Sequence, residues 1–286
     1  MKAIRKPNFQ GPFLRTGNTF FDADPPRATT LPENVSQSRD YIQVSRILLE
    51  ACRRHDYALM AMLPDYLDRH RNGILWTNAA LLYAFATPQP LIEAFAHRFQ
   101  RDVFEARDPL VTQFVFSALL ESGIPKLIQA STRVLPYLHP ASDFGDIARL
   151  YAVITEPNVG FDPRASEVIA AFGRFSPQEL SGIMAERMAE LVARFPGSIR
   201  IHSGRPVVIS DVLTTLADTI RSPYFFVRIH FEKVLLEAFT GFDLSSGFHE
   251  LQMRPTDFHD ALSRLSDSVD LNNFKPGQRY FFGQPI

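Results

Sequence analysis

Cysteine is nearly absent from this chain. Cys52 stands alone among 286 residues, which excludes an internal disulfide and any Cys-rich metal cage. Within its apolar helical pattern it reads as a small core residue. Lysine is scarce too, since 25 of the 30 cations are Arg. Arg suits bidentate phosphate contacts and base stacking better than Lys does, although a GC-rich genome leaves the same bias. A net charge of −1 supplies no global basic field. No apolar run approaches the roughly 20 residues that span a bilayer. The longest clean stretch, Asn78 to Ala86, reads as a buried helix.

Catalytic signatures are missing as well. There is no Gly-rich phosphate loop, dinucleotide fingerprint, His-Glu-x-x-His, Cys-x-x-Cys or Gly-x-Ser-x-Gly. His249, Asp257, His259 and Asp260 offer metal-ligand chemistry, but Asp257 to Asp260 also reads as an acidic helix start, favoured by the helix dipole. Cys52 and His55 at i, i+3 lack an evident third partner for nucleophilic catalysis. His202 and His230, set in apolar alternation, read as structural. The expectation is a non-enzymatic chain with no catalytic residues, metal or cofactor.

What is present is a repeat. Leu48 and Leu49, Leu81 and Leu82, and Leu119 and Leu120 recur at steps of about 33 to 38 residues, the period of stacked helical hairpins. Helices are expected from Ser38 to His55 and from Tyr57 to Arg71, the second kinked or split at Pro64 and closed by Asn72-Gly73. Further helices are expected over 75–86, 90–101, 108–122, 125–138, 144–155 and 164–172. Ser176-Pro-Gln-Glu179 is a capping box opening a helix to Phe195. Residues 198–209 alternate like a short β-hairpin. Helices then run from Ser210 to Arg221, from Ser222 to Gly241 and from Pro255 to Leu265. The predicted fold is all-α, an α-solenoid-like array of stacked helical hairpins with a short β-hairpin near 198–209 and extended terminal arms. Its divisions are an N-terminal arm (1–36), the hairpin array (37–195), a C-terminal helical portion (196–270) and a tail (271–286).

The arms carry Phe9, Phe13, Phe20 and Phe21 at one end and Tyr280, Phe281 and Phe282 at the other, among prolines and glycines. The first arm lacks the continuous apolar core of a secretory signal. So many aromatics suit segments lying on a partner. Trp76 reads as core or as a docking residue. The cations Arg53, Arg54, Arg69, Arg71, Arg98, Arg101 and Arg107 fall at or near expected helix C-termini. There they either complement the helix dipole or form a stripe that tracks RNA phosphates.

Leu75-Trp-Thr-Asn-Ala-Ala-Leu-Leu-Tyr-Ala-Phe-Ala86 resembles the first helix of the hairpin repeats in FAST-kinase-like and octotricopeptide proteins. Phe175-Ser-Pro-Gln-Glu-Leu-Ser-Gly-Ile-Met184 resembles the helix opening that recurs in the same group. The resemblance covers about residues 40–195. It implies organellar RNA binding, in particular mitochondrial RNA or ribosomes. The RAP domain usual in that group is not recognisable here, so nuclease-like activity is unsupported.

The functional expectation is therefore a structural subunit of a large assembly, an RNA-associated component of an organellar, mitochondrial-ribosome-like ribonucleoprotein. Its partners would be protein subunits and structured RNA, with no membrane span. The alternatives are a protein scaffold in a membrane-associated or virion complex, a cytoplasmic location, and an enzyme whose site lies around His249 to Asp260.

Overall fold

A computed structural model describes residues 21, 26–35, 38–70, 73–92, 94, 119–120, 122–137, 147, 151–152, 154–156, 174–196, 200–220, 229–249 and 252–286. The described chain is mostly helical. Helix α1 (Ser38–Arg53) buries Tyr41, Val44, Leu48, Leu49 and Cys52, the face expected from their spacing. A turn through His55, at φ 56°, leads to α2 (Tyr57–Arg69), which Asp56 caps by accepting from the Leu59 amide. Pro64 sits inside α2 without splitting it. Gly73 does not close a hairpin: it is the first residue of α3 (Gly73–Ala86). Eight residues of α3, Leu75, Ala79, Ala80 and Leu82 through Ala86, are fully or almost fully buried. An apolar helix of this kind is stabilised by what surrounds it, not by its own amphipathicity.

Gly123, at φ +63°, precedes α4 (Pro125–Val134), which tightens into a 3-10 turn at Leu135–Tyr137. Helix α5 (Pro177–Arg194) opens with the full capping box, Ser176 and Glu179 bonding reciprocally. Its Leu180, Met184, Met188 and Leu191 pack with Ile128 of α4 and with Ile147, Tyr151, Ala152 and Ile154. The Tyr151 hydroxyl donates to the Met184 carbonyl at 2.8 Å, and Ser181 donates to Thr132 at 2.6 Å.

The expected β-hairpin is present as β1 (Ile201–His202) and β2 (Arg205–Pro206), antiparallel. Ser203 and Gly204 turn it with φ of 50° and 67°, the positive values a type I′ turn requires. Helices α6 (Ile209–Ile220), α7 (Ile229–Thr240) and α8 (Pro255–Ser268) follow, with β3 (Phe248–His249) and β4 (Gln252–Met253) pairing between the last two. The chain closes in β5 (Tyr280–Phe281) and β6 (Gln284–Pro285), also antiparallel.

That last hairpin replaces the expected C-terminal arm. Tyr280 and Phe281 are buried, and the amides of Phe282 and Gly283 donate to the α7 carbonyls of Ala238 and Phe239, each at 2.7 Å. One apolar core consequently runs from Tyr41 in α1 to Phe281 in β5, while a second gathers α4, α5 and Ile201. A solenoid joins each unit only to its neighbours. Among the described residues no solenoid arrangement is seen, and α3 packs directly on β5 from the far end of the chain.

Candidate functional site

The β1–β2 hairpin is where distant parts of the chain are tied together. The Ile201 amide donates to Gly123 at 2.8 Å, Gly204 to Ile154 at 2.9 Å, and Gly277 to Val207 at 2.9 Å. Arg200 donates its amide to Gly277 at 3.3 Å. Alternation then puts the Ile201 side chain in the second core and leaves Arg200 buried against Phe85 and Phe239 of the first.

Arg200 and Arg279 converge on a single atom. Their Nη2 groups donate to the Ala84 carbonyl at 3.3 and 3.1 Å. Helix α3 has no basic residue in its last turn, so these arginines supply from elsewhere the cations that a helix C-terminus favours. The Arg200 guanidinium lies 4.6 Å from the centre of the Phe85 ring and 5.4 Å from that of Phe239. Both arginines are fully buried. On each, Nε and Nη1 have no hydrogen-bond partner among the described residues. Burial, with Arg279 beside it, pulls the Arg200 guanidinium well below its usual range. Burial pulls Arg279 down to about 9, and Tyr57 partly opposes this. Both remain cations at neutral pH, because guanidinium does not give up its proton in proteins. The two like charges repel each other, and the Arg279 charge adds to the lowering of Arg200.

Two buried acid–base pairs draw their carboxylates from α7. Lys233 Nζ donates to Glu237 Oε1 at 2.6 Å, and the Leu244 amide reaches the same oxygen at 3.1 Å. Burial pushes Glu237 up to about 7 despite Lys233. The second pair is His202 Nε2 and Glu232 Oε1, 3.4 Å apart and both buried. His202 also backs a shallow cleft with Ser203, Val208 and Thr215, across which Arg205 and Asp211 pair at 3.2 Å. A buried imidazole held by a carboxylate is suited to proton transfer, but only 7% of His202 reaches solvent.

The residues singled out from the sequence are dispersed. Arg53 stacks on Phe21 and Phe282 and pairs with Glu50 at 3.9 Å. Arg54 is exposed and bonds Glu50 at 2.7 Å. Arg69 is exposed and reaches only the Asp65 carbonyl, at 3.4 Å. Arg54 and Arg69 flank the two ends of α2, whose 13 residues span about 20 Å. Arg71, Arg98, Arg101 and Arg107, like Phe9, Phe13 and Phe20, lie outside the described residues, as do the side chains of Trp76, His230 and His249. Phe21, Tyr280, Phe281 and Phe282 pack within or against the chain's own core. Cys52 is buried with its Sγ 3.4 Å from Met60 Sδ, burial raises its thiol far above the usual range, and His55 bonds Tyr57 instead. His259 is exposed, and no group of three or more potential metal ligands occurs among the described residues.

Sequence reasoning missed Arg200, Arg279, Glu232, Lys233 and Glu237. The available signal was a charge at a strand position flanked by isoleucines, and an i, i+4 Lys–Glu pair within the apolar run of α7. Comparison with protein families, curated proteins and solved structures returned no match for this chain.

Proposed function

We propose that the chain is a non-enzymatic helical subunit of a large assembly, an RNA-associated component of an organellar, mitochondrial-ribosome-like ribonucleoprotein. The observation that carries this reading is the outward face of α2. Ala58, Ala61, Met62, Asp65 and Arg69 are all exposed there, Met62 at 60%. An apolar centre flanked by Arg54 and Arg69 suits a protein neighbour in the middle and phosphates at the ends. The resemblance of residues 75–86 and 175–184 to organellar RNA-binding repeats supports the same reading. A protein scaffold free of RNA is the second reading, favoured by Met62, Phe175 and Val192, large apolar side chains exposed at 60%, 39% and 40%.

Recovery of the tagged full chain from its native cells, with and without RNase, separates the two. Co-purifying ribosomal RNA and proteins that RNase releases, and that Arg54→Glu with Arg69→Glu weakens, is the expected result. An RNase-resistant set of non-ribosomal proteins, indifferent to both substitutions, would establish the scaffold.

A further inference from the structure

The buried arginines are built like a receptor for which the described residues provide no acid. Each guanidinium has five N–H donors. Nη2 serves the Ala84 carbonyl on both, and Nε and Nη1 remain unpartnered on both. The buried charges of the described residues do not balance locally either: Glu237 is engaged by Lys233 and Glu232 by His202. The Phe85 and Phe239 rings offset part of the Arg200 charge, and no ring stacking is found for Arg279 among the described residues. Unpaired buried charge is offset most effectively by an opposite charge with matching hydrogen-bond geometry.

We propose that the unpartnered Nε and Nη1 groups of Arg200 and Arg279 form an internal binding site for a small oxyanion. Two planar forks around one point match the spread oxygens of a phosphate or a carboxylate. The arginines belong to two segments joined along one seam, by Arg200 to Gly277 and Gly277 to Val207. Parting of that seam admits the anion, and its closure encloses it. The Tyr57 hydroxyl, which bonds His55 Nδ1 at 2.8 Å, feels the Arg279 charge. The bound anion then acts as a linchpin between the N-terminal helices and the C-terminal hairpin.

Thermal unfolding of the full chain in chloride, inorganic phosphate and acetate, at matched pH and ionic strength, tests this. A saturable rise in Tm of several degrees in millimolar phosphate alone would assign a phosphate-type ligand, and in acetate alone a carboxylate-type one. A rise in both would support a general oxyanion site. Equal Tm in all three would overturn the proposal. So would an unchanged response in the Arg200→Met, Arg279→Met double variant, since the anion would then bind elsewhere. Should that variant not fold, Arg279→Lys keeps the charge and removes the fork. It should raise the half-saturating anion concentration about tenfold, and no change would overturn the assignment.

Discussion

The guanidinium of Arg53, at the last residue of α1, lies 5.3 Å from the centre of the Phe282 ring. Phe21 completes the stack, 5.8 Å from Arg53 and 5.4 Å from Phe282. Phe282 has φ of 50°, a strained value for a bulky residue. This contact therefore secures a turn that its sequence disfavours. A double-mutant cycle with Arg53→Ala and Phe282→Leu, read by urea unfolding, should give a coupling of about 0.5–1 kcal/mol. A coupling indistinguishable from zero would make the stack incidental.

Glu237 gives the pH dependence a definite sign. The folded chain takes up its proton below about 7, the unfolded chain only near 4.5. Between those values the folded state binds more protons, so this group's contribution to stability falls as pH rises and levels off above 7. The window corresponds to about 2–3 kcal/mol. Glu237 Oε2 has no hydrogen-bond partner among the described residues and is the oxygen able to hold the proton. Between pH 7.5 and 5 the wild-type chain should gain stability relative to Glu237→Gln by an amount of that order. Parallel pH profiles for the two proteins would refute the shift.

Local chemistry was legible where it acts within a few residues. The capping box at Ser176, the α1 face and the short hairpin at 201–206 follow from spacing and turn residues. Long-range chemistry was not. Arg279 reads as one cation in a polar tail, because nothing nearby announces that it will meet the carbonyl of Ala84. The C-terminal hairpin was hidden for a related reason. Its turn places Phe282 where asparagine or glycine is usual, so Tyr280 to Phe282 read as an aromatic arm. Two cations at the ends of α2 looked like neighbours because a periodic pattern reports helix phase, not the direction in which each helix runs.

Ser176→Ala should cost about 1 kcal/mol, the usual value of an N-cap. The hydroxyl accepts from the Glu179 amide at 3.3 Å, and the Glu179 carboxylate accepts from the Ser176 amide at 2.8 Å. The Ser176 amide and, at 2.7 Å, the Ser176 hydroxyl both donate to the Glu179 carboxylate and hold it below its ordinary value. Its titration, followed by NMR, should move back toward that value in Ser176→Ala. An unmoved titration would mean the box contributes little in solution.

The same substitution at two glycines should have opposite signs. At Gly123 a Cβ would lie 2.3 Å from the Ile201 carbonyl oxygen, on backbone at φ +63°. The oxygen cannot move aside freely, because Ile201 also donates its amide to the Gly123 carbonyl. Gly123→Ala should destabilise by more than about 2 kcal/mol. Gly182 lies on the exposed face of α5, and a Cβ there meets nothing within 4 Å. Gly182→Ala removes unfolded-state freedom at no steric cost and should stabilise by about 0.5–1 kcal/mol. Urea unfolding of the two variants reads both effects. A stabilised Gly123→Ala would mean that β1 does not dock on the Gly123 turn, and with it would go the placement of Arg200 beside Arg279.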